Sequence, residues 1–372
     1  MINLFKKKLI GTNQNIIGVI GKNGKSTIGQ MIEFIFKNLH LSNDFTEVEK
    51  FLQKSKTESY ENDVKNVIIE VCVDEIKHNK VNLIDFNSLI YTNSAFVLQN
   101  DEKWTKIRPF IALSISDLAI INVDDSIGKE LINLTNAQTV TYGLSDIANI
   151  SAKNINLAIN GTSFDLYINR EFVKTVRIPY FGTYNVLNTL ATLAYFHALD
   201  YNLEQIFGLL EKLPHLSGKF DYFATETKKH IIIDYARNPE SIETLLNSVQ
   251  SVAGANIFAV VGSDAKQCKS TRSQLGKVIL PKCLSVVITN DNPRDVEPQH
   301  LIYDIISDTV WQNYRICLDR EKAIEIALKM MKENDTLLIL GRGHENKQYI
   351  KDKINKFNDL LTAKYLVEKF SI

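Results

Sequence analysis

The stretch of sequence that decides the fold reads Ile16-Ile17-Gly18-Val19-Ile20-Gly21-Lys22-Asn23-Gly24-Lys25-Ser26-Thr27. An apolar run typical of a buried strand ends in a glycine-containing turn, and apolar residues at helical spacing follow over residues 28–39. Gly21 and Gly24 allow backbone N–H groups to approach an anion. Lys25 can reach the outer phosphates of a nucleotide, and Ser26 offers a hydroxyl to Mg²⁺. We therefore predict a strand, a phosphate-binding loop and a helix; the alternative is a glycine turn that binds no ligand.

Composition limits the classes of partner. The 372 residues include 43 basic and 43 acidic side chains, so the formal net charge is zero. Bulk electrostatics therefore favour neither a nucleic-acid nor a membrane-surface partner. No stretch is apolar enough to span a bilayer, and the four cysteines lack metal-ligand spacing. We expect a cytoplasmic protein that acts on small molecules.

Short apolar runs alternate with helical patterns along the chain, which predicts an α/β fold. Residues 155–168 change to period two around Asn-Gly, which predicts a β-hairpin. After a linker at residues 213–219 the alternation restarts. We predict a P-loop ATPase domain over residues 1–216, with a mostly parallel sheet and a small appended β-hairpin sheet. A second, Rossmann-like α/β domain should follow over residues 217–372.

Several motifs in this order resemble the Mur ligase family, and the likeness extends over nearly the whole chain. They are Gly21-Lys22-Asn23-Gly24-Lys25-Ser26-Thr27, Glu70-Val71, Thr92-Asn93, Gly182-Thr183-Tyr184-Asn185-Val186-Leu187-Asn188, Asp234-Tyr235-Ala236-Arg237-Asn238-Pro239, Asp291-Asn292-Pro293-Arg294 and Gly341-Arg342-Gly343-His344-Glu345. The last two motifs are similar to those of the branch that adds the third stem residue, lysine or diaminopimelate, to UDP-N-acetylmuramoyl dipeptide. The resemblance implies a central-type ATP-binding domain followed by a C-terminal-type amino-acid-binding domain.

The resemblance also implies a reaction, in which ATP activates a carboxylate as an acyl phosphate and an amine then forms an amide. Catalytic roles fall on Lys25, Glu70 and Lys106, and Mg²⁺ is held by Ser26, Glu70 and Lys106 as its carbamate. The implied ATP-binding residues are Gly21, Asn23, Gly24, Lys25, Ser26, Thr27, Asn188 at the adenine and Asp319 at the ribose. Taken alone, Glu70 also fits a solvated carboxylate at a strand end, and Lys106 fits an ordinary surface lysine.

The motifs of the second domain imply a site for the incoming amino acid. Its residues are Arg272, Asp291, Asn292, Arg294, Gly341, His344 and Glu345. Arg294 could clamp a carboxylate through two parallel hydrogen bonds, and Glu345 could pair with an ammonium group. An arginine at position 294 resembles the diaminopimelate-using branch, whose substrate has a second carboxylate. The alternative for Arg294 is a surface arginine that stabilises its turn.

Two departures from the family pattern affect the expected function. Stem-peptide ligases have an N-terminal domain that binds UDP, whereas only some fifteen residues precede the first predicted strand here. We therefore expect a donor carboxylate that is not UDP-linked, unless a partner protein supplies that grip. The segment before Lys106 also lacks the family's Asp-His pair. The main prediction is an ATP-dependent amide ligase that joins an acid to a diaminopimelate- or lysine-like amino acid. The alternative is a degenerate nucleotide-binding subunit without turnover.

Overall fold

The computed structural model describes residues 14–55, 64–72, 81, 84–94, 115–252 and 256–372. Contacts between Cα atoms divide the chain into two compact units. Unit 1 comprises Met1–Asn156 and Asn160–Pro214, and unit 2 comprises Leu157–Ile159 and His215–Ile372. No helix in the described part of the chain is long and apolar enough to cross a membrane.

Unit 1 is built on a mixed sheet whose strands run in the order β2-β3-β1-β4-β5-β6-β7-β8-β9. The strands are β1 (Asn15–Ile20), β2 (Asn43–Glu47), β3 (Asn66–Val71), β4 (Phe86–Tyr91), β5 (Ile115–Asn122), β6 (Gln138–Gly143), β7 (Ile150–Ala158), β8 (Gly161–Ile168) and β9 (Glu171–Ile178). All pairings from β2 to β7 are parallel. This arrangement confirms the predicted α/β class, and β3, β4 and β5 each contain a short apolar run of the kind that predicted it.

Helices complete the hydrophobic core of unit 1. They are α1 (Lys25–Asn38), α2 (Val48–Lys54), α3 (Ser126–Ile132), α4 (Thr183–Ala198) and α5 (Leu203–Leu210). Helix α4 is buried along most of its length, and its Phe196 ring lies 5.4 Å from the ring of Phe36 on α1. These helices exclude water from strand residues such as Ile17, Ile68 and Ile90, which have no exposed surface. Strands buried on both faces read as continuous apolar runs, as this sequence does.

The predicted hairpin is present and joins the parallel sheet as a continuation of it. Strand β7 pairs with β6 at only two positions, Tyr142 with Ile150 and Gly143 with Ser151. The turn ends at Gly161, whose φ of 142° suits a residue without Cβ. Strand β9 adds an antiparallel partner to β8 that the sequence analysis did not predict. Its residues from 171 to 175 are exposed, and its apolar residues Phe172, Val173, Val176 and Ile178 do not form one continuous run.

Unit 2 contains a six-stranded sheet in the order β10-β11-β15-β12-β13-β14. The strands of unit 2 are β10 (Asp221–Ala224), β11 (His230–Asp234), β12 (Ile257–Val261), β13 (Ser285–Ile288), β14 (Tyr314–Ile316) and β15 (Thr336–Leu340), with a separate hairpin of β16 (Lys347–Ile350) and β17 (Lys353–Lys356). Only β10 is antiparallel to its neighbour in the larger sheet. This second sheet matches the predicted restart of the β/α alternation.

Helices also cover the sheet of unit 2. They are α6 (Pro239–Gln250), α7 (Lys269–Ile279), α8 (Pro298–Ile306), α9 (Arg320–Met330) and α10 (Asp359–Phe370), with a 3₁₀ turn at Leu280–Lys282. A fully buried ion pair joins α9 to α10, with Arg320 Nε 2.7 Å from Asp359 Oδ1. The same guanidinium donates to the backbone oxygen of Leu340 at 2.9 Å, which fixes the end of β15.

The contact between α3 and β5 gives a test of this packing. A Cβ on Gly128 would lie 1.9 Å from the backbone oxygen of Asn122. Alanine favours a helix by about 1 kcal/mol over glycine, but overpacking of this kind costs about 1–3 kcal/mol. We expect Gly128→Ala to lower the melting temperature. The control is Gly208→Ala on α5, where no described atom lies within 4 Å of the added methyl group. The melting temperature of Gly208→Ala should stay unchanged or rise. An equal change of melting temperature in the two variants would contradict the packing described here.

Candidate functional site

The glycine loop of unit 1 connects β1 to α1 through two backbone conformations that favour glycine. Gly21 has a φ of 141° and Gly24 a φ of 86°. A Cβ on Gly21 would lie 2.0 Å from Thr92 Oγ1, and one on Gly24 would lie 2.4 Å from Asn188 Oδ1. Gly24 is also the N-cap of α1, which has no side-chain cap. The loop therefore has its backbone closely packed and a helix N-terminus suited to an anion.

The ends of neighbouring strands hold the loop in shape. Asn93 accepts from two loop N–H groups: its backbone oxygen from Lys22 at 3.0 Å and its Oδ1 from Asn23 at 3.1 Å. Thr92 Oγ1 donates to the backbone oxygen of Asn23 at 2.8 Å, and Asn122 Nδ2 donates to that of Thr92 at 2.8 Å. Thr92-Asn93 is one of the motifs quoted from the sequence, where no role was assigned to it. The contacts make it the support of the loop.

A lysine and a carboxylate adjoin the loop. Lys25 Nζ donates to the backbone oxygens of Gly21 at 2.9 Å and Lys22 at 3.2 Å, and it lies 3.8 Å from Glu70 Oε1. The side chains of Lys25 and Glu70 are only 10% and 20% exposed. Glu70 reaches this position because β3 pairs with β1 in parallel, with Glu70 opposite Val19. Lys25 and Glu70 are the two predicted catalytic residues within the described part of the chain, and the structure brings them together.

The remaining residues predicted at the ATP site lie on α1 and α4. Ser26 is half-buried and Thr27 is buried in the first turn of α1. Asn188 is buried on α4, where its Nδ2 donates to Asn185 Oδ1 at 3.1 Å. The structure places Asn188 against Gly24 of the loop. Lys106 lies outside the described residues, and among those described no group of three or more His, Cys, Asp or Glu residues could hold a metal ion.

In unit 2, a buried guanidinium organises the loops that follow β13 and β15. Arg342 has no exposed surface, and its NH1 donates to Asp291 Oδ1 at 3.3 Å and Asn292 Oδ1 at 3.1 Å. Burial raises the pKa of Asp291 to about 6, although Arg320 and Arg342 act to lower it. Arg342 stands inside a quoted motif, yet the sequence analysis did not select it as a site residue. Its burial follows from packing that a sequence motif does not display.

The carboxylate of Glu345 joins this network. Its Oε2 accepts from Asn292 Nδ2 at 3.2 Å and lies 3.7 Å from Arg342 NH1, and its Oε1 lies 3.9 Å from Arg237 NH1. The neighbouring His344 is exposed, with its ring 5.2 Å from that of Tyr235. The structure therefore brings Asp291, Asn292 and Glu345 together. Gly341 lies beside them, since a Cβ there would be 3.4 Å from Asp291 Oδ2.

The two arginines predicted to bind the incoming amino acid both hold carboxylates of the chain. Arg272 Nε lies 3.0 Å and NH2 lies 2.9 Å from Asp304 Oδ2. Arg294 donates from Nε to Asp264 Oδ1 at 3.0 Å and from NH2 to Asp264 Oδ2 at 2.9 Å. Neither aspartate is part of a motif quoted from the sequence. The sequence contains one signal for Asp264, because Ser263 and Asp264 follow the apolar run of β12 after a single glycine.

Asp319, predicted at the ATP ribose, caps a helix in this structure. Its Oδ1 accepts from the Lys322 N–H at 3.1 Å at the start of α9, and the residue is exposed. The next residue, Arg320, is the buried partner of Asp359. Contact between Asp319 and a nucleotide stays a prediction.

Comparisons with known proteins find two matching families along this chain. The family described as Mur ligase middle domain matches residues 19–196, and the one described as Mur ligase, glutamate ligase domain, matches residues 220–343. The UDP-N-acetylmuramoyl-L-alanyl-D-glutamate--2,6-diaminopimelate ligase of Bacillus cereus is 27% identical over an alignment 380 positions long, and the alignment covers 94% of this chain and 77% of that protein.

Two solved structures show the same fold. One is a UDP-N-acetylmuramoyl-L-alanyl-D-glutamate--2,6-diaminopimelate ligase, which is 20% identical with a TM-score of 0.63. The match covers 96% of this chain and 79% of the chain of that ligase. The other, the folylpolyglutamate synthase of Mycobacterium tuberculosis, is 13% identical with a TM-score of 0.70 and covers 88% of each chain. With both family matches in sequence order and most of each relative's length aligned, the chain belongs to the Mur ligase family.

Proposed function

We propose that this protein is an ATP-dependent amide ligase that activates a carboxylate as an acyl phosphate and joins it to an amino acid. The observation that carries the proposal is the Lys25 ammonium group, held within the Gly21–Gly24 loop and 3.8 Å from Glu70. A fixed cation, a helix N-terminus and a carboxylate in one place suit the triphosphate of ATP together with a divalent cation.

Each residue near the loop has a role in this proposal. The backbone N–H groups of the loop and Lys25 bind the β- and γ-phosphates, and Asn188, which lies against Gly24, would contact the adenine. The donor set of a hydroxyl at Ser26 and a carboxylate at Glu70 fits Mg²⁺, and a carbamate on Lys106 would add oxygen ligands. When bound, Mg²⁺ supplies positive charge that stabilises the phosphates during transfer.

The reaction proceeds by two displacements. An oxygen of the donor carboxylate attacks the γ-phosphorus of ATP, the bond to the β-phosphate oxygen breaks, and ADP leaves. The neutral amine then attacks the acyl carbon, phosphate leaves with the electron pair of the C–O bond, and the nitrogen loses a proton. Positioning and charge stabilisation provide most of the catalysis in such transfers.

Unit 2 would bind the amino acid. The proposed residues are Arg272, Asp291, Asn292, Arg294, Gly341, His344 and Glu345. Of these, Glu345 is the partly exposed carboxylate, with a side chain 23% accessible, so it suits an ammonium group. The contact from Asn292 and the nearby charges of Arg237 and Arg342 hold this carboxylate in place.

For the donor, we propose a carboxylate that is not linked to UDP. The family matches on this chain are to the middle and glutamate-ligase domains, and the Bacillus cereus relative is matched over 77% of its length. A partner protein that grips the donor would be an alternative arrangement.

A panel experiment tests the ligase activity together with Lys25. ADP formation is measured with combinations of acids and amino acids, and mass spectrometry detects ATP-dependent adducts in a cell extract. Lys25→Ala should lower ADP formation about a hundredfold or more, because it removes a charge aimed at the phosphates. Lys37→Ala is the control, since Lys37 lies on the same helix with a side chain 60% exposed. ADP formation undiminished in folded Lys25→Ala would refute the phosphate-loop assignment, and no adduct in any combination would refute the ligase.

The carbamate on Lys106 has its own test. Lys106→Ala should be nearly inactive because a metal ligand is lost, and acetate or formate in solution should restore part of the activity by supplying a carboxylate. Lys103→Ala, three residues away in the sequence, should retain activity and show no response to either anion. Full activity of Lys106→Ala without added carboxylate would rule out the carbamate.

The donor proposal predicts weak use of UDP-N-acetylmuramoyl dipeptide. With this substrate and either lysine or diaminopimelate, ADP formation should stay near its donor-free level, because the proposal gives the UDP group no site from which remote binding energy could come. The Bacillus cereus relative, assayed in parallel, verifies the substrate preparation. Efficient ligation by this chain would overturn the donor proposal and leave the ligase proposal standing.

A further inference from the structure

The pair of Asp264 and Arg294 is built as a fixed unit. Asp264 lies in the loop after β12, and two hydrogen bonds of 3.0 and 2.9 Å engage one whole edge of the Arg294 guanidinium. The side chain of Asp264 is only 8% exposed, and its Oδ1 also accepts from the Lys266 N–H at 2.8 Å. Burial acts to raise the pKa of Asp264, but the hydrogen bonds from Arg294 and Lys266 hold that pKa below its usual value. Asp264 is therefore charged at neutral pH.

Arg294 is held at its backbone as well. Its N–H donates to the Tyr349 backbone oxygen at 3.0 Å, and its own oxygen accepts from the Lys351 N–H at 2.7 Å. Its φ is 51°, a left-handed conformation that is unfavourable for arginine. The guanidinium carbon lies 5.0 Å from the centre of the Tyr349 ring. Backbone, ring and carboxylate together leave this side chain little freedom to turn toward another partner.

We propose that Asp264 determines the specificity of the amino-acid site by cancelling the charge of Arg294, so that the site favours an amine without a second carboxylate. This inference rests on the proposed function and names its substrate class. A lone arginine at position 294 would attract a distal carboxylate, whereas the pair presents no net charge.

A distal carboxylate would face two costs at this pair. The Nε and NH2 edge, which gives the side-on bidentate contact, is already occupied by Asp264. A substrate carboxylate at the remaining edge of the guanidinium would lie close to the charged oxygens of Asp264, and like charges at short range repel. A substrate such as lysine has no distal carboxylate and avoids both costs. Placing a repulsive group against a competing substrate is a recognised way to obtain specificity.

The experiment compares L-lysine with meso-diaminopimelate in the full chain. Binding of each amino acid is measured by calorimetry without donor, and kcat/KM for each is measured with the donor found in the panel. The wild type should favour lysine. Asp264→Asn, which keeps an acceptor for the Lys266 N–H, should shift the ratio of affinities toward diaminopimelate by about tenfold to hundredfold, the value of a charge-assisted contact.

Two further variants show whether the effect passes through Arg294. The shift should vanish in the double variant Asp264→Asn with Arg294→Gln, since no free guanidinium remains. Asp308→Asn, at a carboxylate of the same unit 3.5 Å from Lys277, is the matched control and should leave the ratio unchanged. Arg294→Gln alone should change the ratio of lysine to diaminopimelate affinities little. If Asp264→Asn does not fold, this variant serves as the test of the proposal.

The contrary outcomes are distinct. A wild type that favours diaminopimelate, weaker diaminopimelate binding in Asp264→Asn, or a large loss of it in Arg294→Gln would overturn the proposal. The proposal would also be overturned by an unchanged ratio of lysine to diaminopimelate affinities in Asp264→Asn. The same holds if the double variant shows the same shift in this ratio as Asp264→Asn. Binding is measured without turnover, so an absence of ligase activity would refute the proposed function and leave this test valid. Failure of both amino acids to bind every variant would overturn the inference itself.

Discussion

The parallel direction of the strands is the constraint on which both candidate sites depend. Strands that run the same way end at the same edge of a sheet, so the loops that follow them meet there. In unit 1 this places the loop after β1 beside Thr92-Asn93 after β4. In unit 2 it places Asp264, Asp291 and Arg342 at one edge, after β12, β13 and β15. Apolar strands set the positions, and polar residues one to three places beyond each strand supply the chemistry.

A second common feature is that the cations of both sites lie beside acidic groups of the chain. Lys25 lies beside Glu70, and Arg342 contacts Asp291 in full burial. Such pairs keep charged side chains oriented where desolvation would otherwise be costly. They also mean that a bound anion competes with an internal carboxylate, so each site responds to the difference between two interactions. Arg237 is a less constrained cation, with a side chain 42% exposed and Glu345 3.9 Å away.

The sequence predicted the strands with apolar runs and the glycine loop because these depend on neighbouring residues. It did not predict β14 or β17, which are short and mostly exposed and so leave no apolar pattern. For the sites, it identified residues whose motifs are local, such as Lys25 and Asn292. It did not predict which distant residues pair: Asp264 lies 30 residues from Arg294, and Thr92, quoted only as a motif, lies 69 residues from Asn23. Which carboxylate meets which arginine is decided by strand order, and strand order emerges only when the sheet has formed.

The left-handed backbone at Arg294 has a consequence for how this protein can change over evolution. Glycine at position 294 would relax the backbone by on the order of 1 kcal/mol, so backbone strain taken by itself favours glycine there. That change would leave Asp264 as a nearly buried carboxylate without its counter-ion, which is strongly destabilising. Loss of Asp264 would conversely leave a strained arginine with an unpaired charge. Each residue thus protects the other from replacement, and the two positions should vary together among descendants of this chain.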